Sequence, residues 1–250
     1  MNIQVPAMKI LKEPLVCKLW LLYNRESPFF NHTFDMSFIL FDFDGVLADT
    51  IDDLLNFAKE TCAQLGLQRN PIPADLDALE NMSFADYGRQ LEVPAYQIDE
   101  FVRLCLQMFN QRPRPPKIFA GMKHVVSELA KQNTIAILTG NTTPTVEAFL
   151  KENGLLKYVD LLIGVEQKGT KSEKIRRALS ELAQPKESVY MVGDAVSDIR
   201  AARETAIKSI AVSWGHQSSS RLMSAGPDYL VRSPQELLEL LRNVLTNNLP

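Results

Sequence analysis

Three patterns of hydrophobic and polar positions follow one another along the chain. Phe38-Ile-Leu-Phe41 is wholly apolar, aromatic and β-branched, and predicts a fully buried strand. Asp52–Gly66 then carries apolar residues at helical spacing, with Gly66 as its stop. Pro71 and Pro73 break the chain before short helices over Ala74–Asn81 and Ser83–Leu91, the second opening on Ser83 and Asp86 at capping-box spacing. Ala95–Gln111 is amphipathic through Ile98, Phe101, Val102, Cys105 and Phe109. Arg112-Pro-Arg-Pro-Pro116 reads as a stiff linker, because its prolines cannot continue a helix. Residues 53–116 are therefore expected to form an all-helical insert.

Beyond the linker, helices alternate with short apolar strands. Helices are predicted over Gly121–Gln132, Thr142–Asn153, Lys171–Ala183, Ser197–Thr205 and Pro234–Leu245. Strands are predicted over Thr134–Thr139, Val159–Ile163, Ser188–Val192, Ile207–Val212 and Asp228–Val231. That alternation argues for an α/β fold with a parallel sheet.

Composition narrows the field without deciding it. The 250 residues are 46% hydrophobic and 23% charged, an ordinary globular balance. A formal charge of −3 gives no reason to expect nucleic acid or an acidic membrane as partner. Cys17, Cys62 and Cys105 have no metal-ligand spacing, and their odd number argues against a disulfide framework. A reducing compartment, the cytoplasm, is expected. Residues 1–35 differ from the rest: Leu15–Tyr23 is apolar but carries Lys18 and is too short to cross a bilayer. A signal sequence would lack its small-residue cleavage pattern, and Glu13, Glu26 and Asp35 count against a transit peptide. Translation starting at Met36 is the preferred explanation, with a flexible extension as the alternative, and residues 1–35 are expected to lie outside the fold.

The chemistry starts where the first strand ends. Asp42 and Asp44, at i and i+2, point the same way and repel unless a cation or a proton intervenes. Gly45 permits the sharp turn that exposes them. In open parallel sheets ligands bind beyond the carboxyl ends of the strands, so the location suits a catalytic site.

The longer string Asp42-Phe-Asp-Gly-Val-Leu-Ala-Asp-Thr50 resembles the first motif of the haloacid dehalogenase-like hydrolase superfamily, mostly magnesium-dependent phosphatases. Leu138-Thr-Gly-Asn141 resembles the second motif, and Tyr190-Met-Val-Gly-Asp-Ala-Val-Ser-Asp198 the fourth. The third is a lysine of variable position, for which Lys168, Lys171 and Lys174 compete; the register of Lys171 resembles the family best, and Lys168 and Lys174 are expected to be solvated surface charges. The resemblance covers residues 36–250. It implies a Rossmann-like core from 36–52 and 117–250, with 53–116 as a helical cap. It makes Asp42 the nucleophile and Asp44 the proton shuttle, with Thr139, Gly140, Asn141 and Lys171 around the phosphoryl group. Asp42, the Asp44 carbonyl and Asp194 would hold Mg²⁺, supported by Asp198.

The expected activity is hydrolysis of a small phosphorylated metabolite through an aspartyl-phosphate, by a monomer or homodimer. A sugar phosphomutase would use the same motifs. The rival from another class is a phospho-accepting signalling domain, against which the motif order and the insert argue, or a silent binding protein, in which the four motif residues would be expected to have drifted. Three further expectations concern local roles. Thr50 is read as a helix cap, and His124 and His216 as structural. Glu80 stands where phosphoglycolate phosphatases often carry a basic residue, and would repel a substrate carboxylate. Ala206 replaces the glycine that usually ends the helix after the fourth motif, implying a left-handed alanine.

Overall fold

The computed structural model describes residues 9–10, 37–112, 114–182 and 186–247. Among these, Lys9–Ile10 form β1, Phe38–Phe41 β2, and Ala48–Asp49 the short β3. Four helices follow: α1 (Ile51–Gln64), α2 (Pro73–Asp77), α3 (Phe84–Gln90) and α4 (Ile98–Gln111). The chain returns through β4 (Lys117–Ile118), α5 (Met122–Leu129), β5 (Thr134–Leu138), α6 (Thr143–Glu152) and β6 (Leu161–Ile163). It ends with α7 (Lys171–Leu182), β7 (Val189–Gly193), α8 (Val196–Thr205), β8 (Lys208–Val212), α9 (Ser219–Ser224), β9 (Tyr229–Val231) and α10 (Pro234–Asn247).

The main sheet has the order β1-β6-β5-β2-β7-β8-β9, and all its pairings are parallel except β1 with β6. Alternation along the strands divides the apolar side chains between two faces. Ile39, Phe41, Ile135, Ile137, Tyr190 and Val192 pack with residues of α5, α6 and α10. Phe38, Leu40, Ala136, Leu138, Val189 and Met191 pack with residues of α7 and α8. The result is the expected Rossmann-like three-layer α/β core, with β2 buried at its centre because every one of its residues is apolar.

The inserted helices have an apolar core of their own. Ala58, Cys62, Leu76, Tyr87, Phe101 and Cys105 meet in it, so both cysteines serve as small core residues. Ser83 caps α3 by accepting the Asp86 N–H at 3.1 Å, while the Asp86 carboxylate takes the Ser83 hydroxyl at 2.9 Å. The antiparallel pair β3–β4 joins the two connections of the insert, Ala48 lying opposite Ile118 and Asp49 opposite Lys117.

Four elements escape the hydrophobic pattern. β3–β4 and α9 are short and polar, too brief for periodicity to register. β1 comes from the segment expected to lie outside the fold; it runs antiparallel along the edge, Lys9 opposite Leu162 and Ile10 opposite Leu161. Leu15–Tyr23, Cys17, Met36 and Pro113 lie outside the described residues. No helix among those described is long and apolar enough to cross a membrane.

Ala206 ends α8 in the left-handed conformation, φ 58° and ψ 41°, as its position after the fourth motif implies. The Cβ makes that conformation costly for alanine and not for glycine. Replacing Ala206 by Gly should stabilise the protein by about 1 kcal/mol, raising the melting temperature by roughly 2–4 °C for a domain of this size. A calorimetric scan of the two proteins checks it; an unchanged or lower midpoint would show that the strain is relieved elsewhere.

Candidate active site

Parallel pairing places Phe41 opposite both Ile137 and Val192, so β2, β5 and β7 end together. The residues that follow them include Asp42, Thr139 and Asp194, which leave the sheet at one edge. The chain also passes from one side of β2 to the other at this point, which opens a crevice beyond the strand ends.

Each acidic side chain here is positioned by identifiable donors. Asp42 Oδ1 accepts the Phe43 N–H at 2.8 Å, and Asp42 Oδ2 accepts from Lys171 Nζ at 3.0 Å. Lys171 also contacts Asp198 Oδ1, and Asp198 Oδ2 accepts the Ala195 N–H at 3.1 Å, securing the start of α8. As the first residue of α7, the Lys171 cation sits against the helix dipole, an arrangement that would be unfavourable without those two carboxylates. Burial opposes the charge on Lys171, but Asp198 and Asp42 together hold its pKa above the ordinary lysine value. Burial also raises Asp42, with Lys171 opposing the rise.

Asp44 is separated from Asp42 by one residue and behaves differently. Its Oδ2 accepts from the Asn141 side-chain amide at 2.5 Å, while its Oδ1 is buried without a partner. Burial, followed by the neighbouring charge of Asp42, pushes its pKa to about 6. A carboxyl group in that range can carry a proton near neutral pH and release it.

Asp194 is 1% exposed and accepts twice from one residue: the His216 backbone N–H and the His216 Nδ1 both lie 2.7 Å from Asp194 Oδ2. His216 Nε2 in turn shares a hydrogen bond of 3.1 Å with Thr50 Oγ1. Burial disfavours the imidazolium, yet Asp194, Asp44 and Asp42 raise the His216 pKa to about 8. His216 therefore has an acidic partner that sequence spacing did not reveal. Thr50 stands at the N-cap position of α1 but makes no side-chain cap, its hydroxyl being directed to His216 instead. Both contacts join residues far apart in sequence, and the strongest available signal was that His216 follows a strand end.

Thr139 is 2% exposed, and its Oγ1 accepts the Asn141 backbone N–H at 3.0 Å. That bond occupies an acceptor position on the hydroxyl and leaves its proton available to donate. Asn141, expected beside a phosphoryl group, gives its side chain to Asp44. Of the competing lysines, Lys171 is the one brought to Asp42. Lys168 is exposed as a surface charge. Lys174, expected on the surface too, is 8% exposed and donates to the Gly164 carbonyl at 2.8 Å, because one turn of α7 brings it under the sheet edge.

The insert is fastened over this edge by the segment that carries His216. Gln217 Nε2 donates to the carbonyls of Asp77 at 3.1 Å and Leu79 at 2.7 Å, and Ser218 gives its N–H to Asp77 Oδ1 at 2.7 Å. Glu80 is engaged by Arg221, and Arg200 Nη2 lies 3.7 Å from it. Two core arginines thus offset the charge expected to repel a substrate carboxylate. Tyr87 is buried in the insert, Arg89 pairs with Asp86 on its surface, Asn81 is exposed, and His124 is exposed on α5.

The carboxylates of Asp42, Asp194 and Asp198 offer oxygens within 4.8 Å of one another. An all-oxygen donor set suits a hard cation such as Mg²⁺, which keeps several waters and needs few carboxylates.

Known proteins share this architecture. Residues 39–212 match the family described as haloacid dehalogenase-like hydrolase. The phosphoglycolate phosphatase of Synechococcus elongatus is 29% identical over 217 residues, covering 84% of this chain and 99% of its own. Pyrophosphatase PpaX of Bacillus mycoides is 26% identical over 212 residues, covering 82% and 97%. A haloacid dehalogenase-like family hydrolase from Streptococcus pneumoniae superposes with a TM-score of 0.72 at 23% identity, over 82% of this chain and 98% of that one.

The turn after β2 has no room for a side chain at Gly45. Its φ is +74°, and a Cβ there would fall 1.9 Å from Asp194 Oδ2 and 2.5 Å from His216 Nδ1. Gly45→Ala should displace the Asp194–His216 pair and cost at least about 2 kcal/mol. The check is the denaturation midpoint, and a midpoint within error of the parent would mean that the turn yields freely.

Proposed function

Because the chain belongs to the haloacid dehalogenase-like hydrolase family, we propose that it is a Mg²⁺-dependent phosphatase acting on a small phosphate monoester through an aspartyl-phosphate. One observation carries the reading. Asp42 is held 3.0 Å from Lys171, while Asp44, two residues on, has its pKa raised to about 6. One carboxylate is poised with a cation beside it, and its neighbour can carry a proton. Phosphatase and pyrophosphatase relatives support the same reaction class.

In the proposed reaction an Asp42 oxygen forms a bond to phosphorus as the bond to the ester oxygen breaks. The departing alkoxide takes the proton from Asp44. Asp44 then accepts a proton from water, the water oxygen bonds to phosphorus, and the acyl-phosphate bond to Asp42 breaks to release inorganic phosphate. Lys171 neutralises charge between Asp42 and the phosphoryl oxygens, and the Thr139 hydroxyl donates to one of them. Asn141 holds Asp44 in place through both steps. Asp42, Asp194 and the Asp44 carbonyl would hold Mg²⁺, with Asp198 keeping Lys171 in register. When bound, the metal supplies positive charge against the phosphoryl oxygens. The helical insert acts as a cap that excludes bulk water and selects the leaving group.

Metal dependence follows from the donor set. Turnover should require Mg²⁺ and disappear in excess EDTA, and Ca²⁺ should not restore it, since calcium prefers more ligands and a looser shell. Undiminished phosphate release in the chelator would remove the metal from the reading.

The division of labour between the carboxylates gives a sharper test. Asp42→Asn should abolish turnover and never form a phosphoenzyme. Asp44→Asn should slow each step that needs proton transfer by about 10²–10⁴-fold. With an aryl phosphate, whose leaving group needs no proton, Asp44→Asn should therefore accumulate phosphoenzyme, detectable by mass spectrometry. Phosphate incorporation into Asp42→Asn would overturn the choice of nucleophile.

A further inference from the structure

Arg112 lies where the insert rejoins the core, immediately after α4. Its neighbours Arg114 and Pro115 are exposed, but the Arg112 side chain is only 7% exposed. Nη1 donates at 3.2 Å to Asp53 Oδ2, in the first turn of α1. Arg112 thus ties the outgoing connection of the insert to the incoming one. The guanidinium carbon lies 4.3 Å from the centroid of the Phe109 ring, which backs it on the insert side.

The other terminal nitrogen, Nη2, is buried and has no hydrogen-bond partner. A guanidinium nitrogen in that state is costly, because it has lost water and gained no acceptor. Other arginines of the insert are spent locally: Arg69 pairs with Glu92, Arg89 with Asp86 and Arg103 with Glu100, all on its surface. Arg200 and Arg221, which reach the insert from the core, go to Glu80. Arg221 keeps a buried Nε without a partner where it grips Glu80, and Arg112 keeps a buried terminal nitrogen at the two connections of the insert. Asp53, its partner, is 36% exposed, so water screens much of that pairing.

Its place relative to the site is given by the chain: Asp44 bridges Ala48, Ala48 lies opposite Ile118 in β3–β4, and that strand pair closes the same junction that Arg112 and Asp53 tie together. Asp44 Oδ1 is likewise buried and unpartnered. On the proposed mechanism the phosphoryl group sits at Asp42 and the ester oxygen leaves beside Asp44. Whatever hangs from that oxygen must extend past Asp44 into the junction where Arg112 lies.

We propose that Arg112 is a specificity-determining residue, whose buried and unpaired guanidinium nitrogen receives an oxyanionic group carried by the leaving group. The proposal rests on the phosphatase reading and deepens it: the preferred substrates are phosphate esters whose leaving group bears its own carboxylate or phosphate. A guanidinium suits either anion, since its donors are fixed in a plane and its charge is permanent. Neutral alcohols of the same size leave Nη2 unsatisfied and forgo that contact.

The test compares two esters of similar size, 2-phosphoglycolate and the uncharged-tail 2-hydroxyethyl phosphate, with ethylene glycol bisphosphate as the phosphate-bearing counterpart. kcat/KM is measured with Mg²⁺ for the full chain and for Arg112→Lys, Arg112→Gln and Arg112→Ala. The readout is the ratio of charged to neutral substrate, which a merely structural role of Arg112 would leave unchanged. The unmodified protein should favour at least one charged substrate, and Arg112→Ala should cut that preference by about 100-fold, the scale expected for losing a buried charge contact. Arg112→Lys should retain part of it. Should Arg112→Ala fail to fold, Arg112→Gln removes the charge while keeping most of the aliphatic stem, and answers the same question. A preference that is absent from the outset, or that survives in both neutral variants, overturns the inference and leaves the phosphatase reading standing. No release of phosphate from any of the three substrates would sink the phosphatase reading, and this inference with it.

Discussion

Four buried or half-buried carboxylates, Asp42, Asp44, Asp194 and Asp198, must share one end of the sheet, and their mutual repulsion is the constraint around which the rest is arranged. Each is met by a different device. Lys171 bridges Asp42 and Asp198, His216 holds Asp194 through ring and backbone, and Asn141 holds Asp44. The devices come from α7, from the loop after β5 and from the loop after β8, so it is the parallel sheet that brings them to the acidic cluster. Placing a lysine at a helix start, or an imidazole under 10% exposed, makes little sense for stability alone. Both become reasonable once the carboxylates have to be there.

The same constraint couples the insert to the core. The stretch after β8 carries His216, which orients Asp194, and then Gln217, Ser218 and Arg221, which grip the insert at Leu76–Glu80. Thr50, at the root of α1, completes the connection from the opposite side through His216. A movement of the insert would therefore be felt by two adjoining residues, one holding the lid and the other holding a carboxylate. On the proposed function, closure of the cap and alignment of the metal ligand are parts of one hydrogen-bonded unit.

This explains what could and could not be read from the sequence. β2, β5 and β7 were legible because strands buried on both faces are continuous apolar runs, and Asp42, Asp44 and Asp194 because they follow those runs directly. Lys171 was legible only by register, since a lysine at a helix start has no local meaning until Asp42 and Asp198 arrive from elsewhere in the chain. His216 and Lys174 were misread for the same reason: their partners, Asp194 and the Gly164 carbonyl, are supplied by the fold and not by neighbours in sequence. Glu80 was read as a charge facing a substrate, whereas Arg200 and Arg221 approach it from helices more than a hundred positions away. Local pattern reports burial well and long-range pairing poorly, and charged side chains take their roles from the latter.

The division between strand-end chemistry and junction specificity also has a physical basis. On the proposed function, phosphoryl transfer needs Asp42, Lys171 and Thr139 at fixed separations, and the register of β2 with β5 and the start of α7 set those separations rigidly. The leaving group meets no such rigid frame. On that reading it leaves beside Asp44, where the sheet ends and the insert's two connections, joined by β3–β4 and by Arg112–Asp53, come together. A substitution there alters which molecule is accepted without moving the atoms that react. On the proposal above, one core can serve relatives named for different phosphates, with the residues at the junction, Arg112 foremost in this chain, deciding among them.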